Sequence, residues 1–270
     1  MTIPANIKNR IIRAAAFALM SGLIVTQMTA AQAESKTKAQ KVERDYDVCL
    51  GLLDTAPEDA LAYARDWQIE QGPQVFAARH CAALAQSALG WHEEAASTLS
   101  GLALAMKDAP KDAQAEIFAQ VADAWVLAGN GERARVAIDQ ALALDPRAQY
   151  LMSRANIRAV GDDWDGTVKD TGAVLEKSPN NTDALTLRAT ALRNMGHPKA
   201  ALMDASLAVE LSPHHLGALL ERGRAKAALL DLAGARADWE SVVRFANETG
   251  HGEDPRAQAA QDFLDASVAE

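Results

Sequence analysis

The side chains of this sequence that are best suited to covalent bonding or metal binding are those of two cysteines and six histidines. Cysteines and histidines at suitable spacing hold zinc, and two cysteines alone form a disulfide. Cys49 and Cys81 are not part of a CxxC pair, and His197 lies in a turn at the opposite end of a predicted helix from His214 and His215. We therefore predict no metal site and no cofactor.

Motifs of known catalytic chemistry are missing from the sequence as well. It contains no nucleophile elbow, no P-loop and no dinucleotide-binding fingerprint, and its many carboxylate pairs fall in no recognisable catalytic motif. We predict that the protein is not an enzyme. A hydrolase with an unrecognised site is the less favoured alternative.

Both cysteines lie on apolar helical stripes. Cys49 shares a helical face with Tyr46 and Leu53, and Cys81 shares one with Leu84 and Ala88. In an oxidising compartment we expect a Cys49–Cys81 disulfide that joins the first helices of two successive hairpins. The alternative is two buried thiols that pack as small apolar side chains.

The first 33 residues have the layout of a secretory signal peptide. Lys8, Arg10 and Arg13 precede an apolar run over residues 14–25, and Ala31-Gln32-Ala33 forms a cleavage site before Glu34. The apolar run is shorter than the roughly 20 residues that span a bilayer. We predict cleavage after Ala33, a short flexible leader over 34–42 and a periplasmic or secreted protein without membrane insertion. An uncleaved anchor is the alternative.

Composition and charge narrow the class of protein further. The chain has 270 residues, 49% of them hydrophobic but only 5% aromatic, and alanine makes up much of the apolar share, which favours closely packed helices over strands. The net charge is −9, and it becomes −12 without residues 1–33. Such a charge repels phosphate backbones and anionic lipid headgroups, so we predict no nucleic-acid partner.

A pattern with a period of about 34 residues runs through most of the chain. Pro146, Pro179 and Pro213 each follow a helical segment, and a glycine near the midpoint of each copy (Gly129, Gly161 and Gly196) marks a turn between two helices. A small residue follows each turn. Each copy therefore predicts a helix, a short turn and a second helix that ends before the proline.

This pattern resembles the tetratricopeptide repeat (TPR) family. The resemblance implies an all-α fold, a right-handed α-solenoid of stacked helical hairpins. It places four repeats over 115–249 (115–148, 148–181, 182–215 and 216–249), degenerate hairpins over 43–109, and a C-terminal capping helix over 253–270. The last repeat has Leu230 in place of the turn glycine.

Arginine and aspartate recur in step with the repeat. Arg154, Arg188 and Arg222 are each followed 16 residues later by an aspartate: Asp170, Asp204 and Asp238. Because an unpaired buried charge is costly, we interpret these as structural ion pairs within each repeat. A row of arginines that binds an anionic ligand is the alternative.

The family resemblance implies a function through a concave groove that the first helices of the repeats line. We predict that the groove binds a protein or peptide, and that its polar contacts include Asn156, Thr190, Arg193, Asn194 and Arg224. Gln120 and Glu221 are also expected to face it. We expect replacement of Arg193 and Arg224 to weaken binding without changing stability.

The predicted protein is a scaffold or adaptor of cell-envelope assembly; the alternative is a self-associating structural module. We predict a monomer or a weak homo-oligomer.

Overall fold

The computed structural model describes residues 45–69 and 74–266, and every regular element in these residues is an α-helix. The predicted all-α class is confirmed. The signal peptide, the leader and residues 267–270 of the predicted capping helix lie outside the described residues.

The helices are α1 (Tyr46–Leu53), α2 (Pro57–Ile69), α3 (Val75–Ala88), α4 (His92–Ala105), α5 (Lys111–Leu127), α6 (Gly131–Leu144), α7 (Ala148–Val160), α8 (Trp164–Lys177), α9 (Thr182–Asn194), α10 (Pro198–Leu211), α11 (Leu216–Ala228), α12 (Leu232–Glu248) and α13 (Pro255–Ala266). None of these helices is long and apolar enough to span a bilayer.

The chain divides into two compact units between Asp145 and Pro146. The N-terminal unit contains α1–α6 and the C-terminal unit contains α7–α13. This division separates the first predicted repeat, 115–148, from the other three. The reason is that α5 of that repeat packs against the hairpins before it: Gln114 donates to the Ala103 carbonyl on α4, and Gln120 bonds to His80 on α3.

In the C-terminal unit, successive helices pack against each other and form two layers. The inner layer consists of α7, α9, α11 and α13, each of which also packs against the next inner helix, and the outer layer consists of α8, α10 and α12. A continuous core that includes Val174, Leu185, Leu219 and Trp239 lies between the layers. Helix α13 covers the end of this core, where Leu264 is buried and Phe263 stacks on Trp239 with ring centroids 4.8 Å apart.

The turns within the five hairpins from α3–α4 to α11–α12 share one C-terminal cap, and each of these turns contains a residue in the left-handed conformation. The residue that follows the left-handed one donates its backbone N–H to the carbonyl five residues earlier in the helix, as in the 2.8 Å bond from His197 to the Leu192 carbonyl. Gly129 and Gly196 occupy the left-handed position with φ of 76° and 80°. Gly161 lies in the turn as predicted and ends α7, but the left-handed residue there is its neighbour Asp162, with φ of 59°.

Leu230 occupies the same left-handed position in the last hairpin, with φ of 67°. A side chain in this conformation costs about 1–2 kcal/mol, and the 85% exposure of Leu230 means that little apolar contact compensates for it. We expect Leu230→Gly to raise the free energy of unfolding by about 0.5–1 kcal/mol, part of the gain being offset by the flexibility of glycine in the unfolded chain. Urea unfolding of the variant and the native protein measures this change in the free energy of unfolding. Asp162→Gly is the matched control and should gain less, because aspartate tolerates this conformation.

Candidate functional site

The three repeated arginine–aspartate pairs all form in the C-terminal unit, and all have the same geometry. In each pair, Nε and Nη2 of the arginine donate to the two carboxylate oxygens: Arg154 to Asp170 at 2.9 and 2.7 Å, Arg188 to Asp204 at 2.6 and 2.8 Å, and Arg222 to Asp238 at 2.9 and 2.5 Å. Each bond pair joins an inner helix to the outer helix that follows it. Two donors of each guanidinium group are therefore used in a structural bond pair within its own repeat.

Two of these aspartates have a second cation that the sequence analysis missed. Arg158 Nη1 lies 2.8 Å from Asp170, and Lys226 Nζ lies 2.8 Å from Asp238. Both cations also donate to the carbonyl of a glycine in the outer helix. In the repeat 182–215 the position equivalent to Arg158 and Lys226 is Leu192, so among the described residues Asp204 has no such second cation. A search of the fourth position after each repeated arginine would have found the pattern.

The predicted polar contacts of the groove lie on the inner helices α7, α9 and α11. Asn156 and Asn194 are exposed, and each donates its side-chain amide to a carbonyl four residues earlier in its own helix. Thr190 makes the same kind of bond through its hydroxyl, at 3.0 Å to the Thr186 carbonyl. These three side chains therefore have no structural role beyond their own helices among the contacts of the described residues.

Arg193 and Arg224 differ from these neutral residues because both bind Glu221. Arg193 Nε lies 3.0 Å from one oxygen of Glu221, and Arg224 Nη1 lies 2.5 Å from the other. The Glu221 side chain is only 5% exposed, and the guanidinium of Arg224 lies over the Phe263 ring. The expectation that both arginines could be removed without loss of stability is wrong, because their removal would leave a buried carboxylate unpaired.

A second polar cluster lies inside the N-terminal unit and links α1, α3 and α5. His80 is fully buried; its Nε2–H donates to Oε1 of Gln120 at 2.6 Å, and its Nδ1 accepts the hydroxyl of Tyr46. Burial lowers the pKa of His80, although the bond to Gln120 opposes this, and burial raises the pKa of Tyr46. Gln120, expected to face the groove, is therefore a buried structural residue.

The Cys49–Cys81 disulfide lies beside this cluster. It joins α1 to α3, with Cα atoms 6.1 Å apart, and both cysteines are fully buried. The predicted bond is thus present, in the position expected between the first helices of two successive hairpins. Within residues 45–69 and 74–266, no group of three or more histidine, cysteine or acidic side chains is placed to hold a metal ion.

Comparison with known proteins identifies the architecture: the protein has the tetratricopeptide-repeat fold. It is similar to MamA from Desulfovibrio magneticus RS-1, with 18% identity and a TM-score of 0.57 over 66% of this chain and 97% of that one. It is also similar to YrrB, a TPR protein with an unusual peptide-binding site, with 15% identity and a TM-score of 0.52 over 75% of this chain and 98% of that one. No family model and no curated protein matches the sequence. At these identities the similarity shows the fold alone.

Proposed function

We propose that this protein is an exported scaffold that binds a peptide or protein partner through the inner helices of its C-terminal unit. The observation that carries the proposal is the row of Asn156, Thr190 and Arg224, spaced by 34 residues on three successive inner helices. An extended partner would meet one polar side chain per repeat. The peptide-binding site of YrrB, which shares the fold, supports this mode of action.

Export to the periplasm or the outside of the cell, and a role in cell-envelope assembly, form the finer part of the proposal. The pattern of residues 1–33 and the Cys49–Cys81 disulfide support it, because structural disulfides persist in oxidising compartments. The intact mass of the exported protein should correspond to a chain that starts at Glu34.

The binding surface can be tested with a peptide selected from a displayed random library against residues 34–270. We expect Asn156→Ala together with Asn194→Ala to weaken binding of that peptide at least tenfold, or about 1.4 kcal/mol, as measured by calorimetry. The melting temperature should stay nearly unchanged, because these side chains bond only to their own helices or to a neighbouring side chain. Met203→Ala on α10, a residue 74% exposed, is the control and should leave binding intact.

Arg193 and Arg224 need a different design because of Glu221. Arg193→Ala with Arg224→Ala should lower both binding and stability, whereas adding Glu221→Leu should restore stability without restoring binding. If the peptide binds all inner-helix variants normally but loses affinity on changes to α10, the assignment of the binding surface to the inner helices is wrong.

A self-associating module is the second candidate function. Met203, Leu207 and Leu211 form an exposed apolar stripe along the outer helix α10. The corresponding residues of α8 are Lys169, Ala173 and Lys177, so the stripe is particular to one repeat. A mass that rises with protein concentration would favour this candidate.

A further inference from the structure

The exposed side of the outer helix α10 carries the apolar stripe of Met203, Leu207 and Leu211. Their exposed fractions are 74%, 39% and 38%. The spacing of four residues places them along one face of the helix, so that they adjoin each other. Adjoining apolar residues on a surface mark a contact for another molecule, whereas isolated ones do not. The residues that border the stripe indicate which molecule would cover it.

Two oppositely charged residues border the stripe on one edge. Lys199 lies in the first turn of α10 and Glu210 in its last turn, and both are exposed. Eleven residues separate them, close to three turns of about 3.6 residues each, so they project from the same edge of the stripe. Ala200 and Leu211 have the same separation and lie on the opposite edge.

Neither Lys199 nor Glu210 contributes to the stability of the helix that carries it. Among the described residues neither has an ion-pair partner. A lysine in the first turn and a glutamate in the last turn also both oppose the helix dipole. Both charges are therefore available to a molecule that covers the stripe.

The exposed face of α10 is complementary to itself. In a twofold pair of antiparallel helices, each residue meets the partner's residue that lies equally far on the other side of the helix midpoint. Three pairs share a midpoint within one residue of Ala205: Met203 with the partner's Leu207, Lys199 with the partner's Glu210, and Ala200 with the partner's Leu211. Apolar residues thus meet at the centre and opposite charges meet along one edge. A parallel pair would instead oppose each charge with its own copy.

We propose that α10 is the contact of a homodimer, in which two copies of this chain pack α10 antiparallel across a twofold axis near Ala205. Met203 and Leu207 form the centre, and two pairs of Lys199 with the partner's Glu210 fix the direction. One face of a 14-residue helix is smaller than the roughly 800 Å² per partner of a standard interface, so the dimer is weak and forms at high protein concentration.

The dimer leaves the proposed binding surface free. Helix α10 belongs to the outer layer, whereas the polar row of Asn156, Thr190 and Arg224 lies on the inner helices. Each dimer would therefore present two binding surfaces, and a partner with two copies of the bound segment would gain affinity through avidity. The inference rests on the self-association candidate and not on the binding of a peptide.

Charge reversal in the mature chain, followed by sedimentation over a range of concentrations at low ionic strength, tests the arrangement. We expect Lys199→Glu alone and Glu210→Lys alone each to raise the dimer dissociation constant about tenfold, because each places like charges at both edge contacts. An equimolar mixture of the two variants should dimerise like the native protein, since glutamate then faces lysine at every edge contact. Both changes suit the helix dipole, so folding should be preserved.

Lys111→Glu in the first turn of α5 is the matched control, because it changes the net charge equally and should leave the dissociation constant unchanged. Leu207→Lys, at the apolar centre, should abolish the dimer. A native chain that stays monomeric at every soluble concentration would overturn the proposal, and so would a mixture of the two reversals that fails to recover dimerisation. Calorimetry with the selected peptide is a separate measurement, so failure of the dimer is distinguishable from failure of the binding surface.

Discussion

Replacing Cys49 and Cys81 together with alanine is expected to lower the free energy of unfolding of the N-terminal unit by about 3–4 kcal/mol. The bond closes a loop across a sequence separation of 32 residues, and the loss of chain entropy in the unfolded state gives a stabilisation of this size. Helix α1 has only eight residues, too few to be stable alone, so it depends on the disulfide and on the contact between Tyr46 and His80.

The two units of the chain provide an internal control for this experiment. Hydrogen exchange resolves the loss by segment, and we expect faster exchange in α1–α3 of the alanine variant and unchanged exchange in α8–α12. The native protein in reductant should approach the behaviour of the variant. A loss below about 1 kcal/mol, or one spread equally over both units, would show that the disulfide does not stabilise the N-terminal hairpins.

The sequence predicted the hairpins of the C-terminal unit well because their signals are local. Pro179 and Pro213 follow the ends of α8 and α10 by two residues, since a proline cannot continue a helix. In the repeat 148–181, Gly161 marks the turn correctly, but glycine identity does not show that the left-handed residue is Asp162. The 34-residue register itself places the left-handed residue at position 162, and aspartate can adopt that conformation.

The burial of Glu221 could not be predicted from the sequence, because it depends on which faces of neighbouring helices meet. In the sequence, Glu221, Arg193 and Arg224 each have the pattern of ordinary exposed helix residues. The structure places the two arginines, one from α9 and one from α11 itself, around a carboxylate that faces the interior. Residues expected to be free for a partner therefore stabilise each other.

Close packing of α11 and α12 is another feature that emerges only from paired positions. A Cβ atom on Gly223 would lie 2.4 Å from Nε1 of Trp239, so the tryptophan fits only because glycine faces it. The corresponding pair in the preceding repeat is Ala189 and Ala205, in which both residues are small and buried. Each residue is typical of a helix by itself, and the complementarity appears when positions 16 residues apart are compared.

Arg188→Met should cost about 2–3 kcal/mol, more than the same change at Arg154. Asp204 has Arg188 as its cation partner among the described residues, and its side chain is 13% exposed, so removal of the arginine leaves a mostly buried charge. The pair also raises the pKa of Arg188 through the hydrogen bond to Asp204. Arg154→Met leaves Asp170 bound to Arg158 at 2.8 Å, and we expect a loss of about 1 kcal/mol there.

A double-mutant cycle separates the pair from the packing of its two side chains. Arg188→Met with Asp204→Leu removes both charges and places apolar groups between α9 and α10, so this variant should lie within about 1 kcal/mol of the native protein. Urea unfolding of the two single variants and the double variant gives the coupling energy. Strictly additive losses would mean that Arg188 and Asp204 do not stabilise each other, and a larger loss for Arg154→Met than for Arg188→Met would mean that the second cation, Arg158, does not compensate for the first.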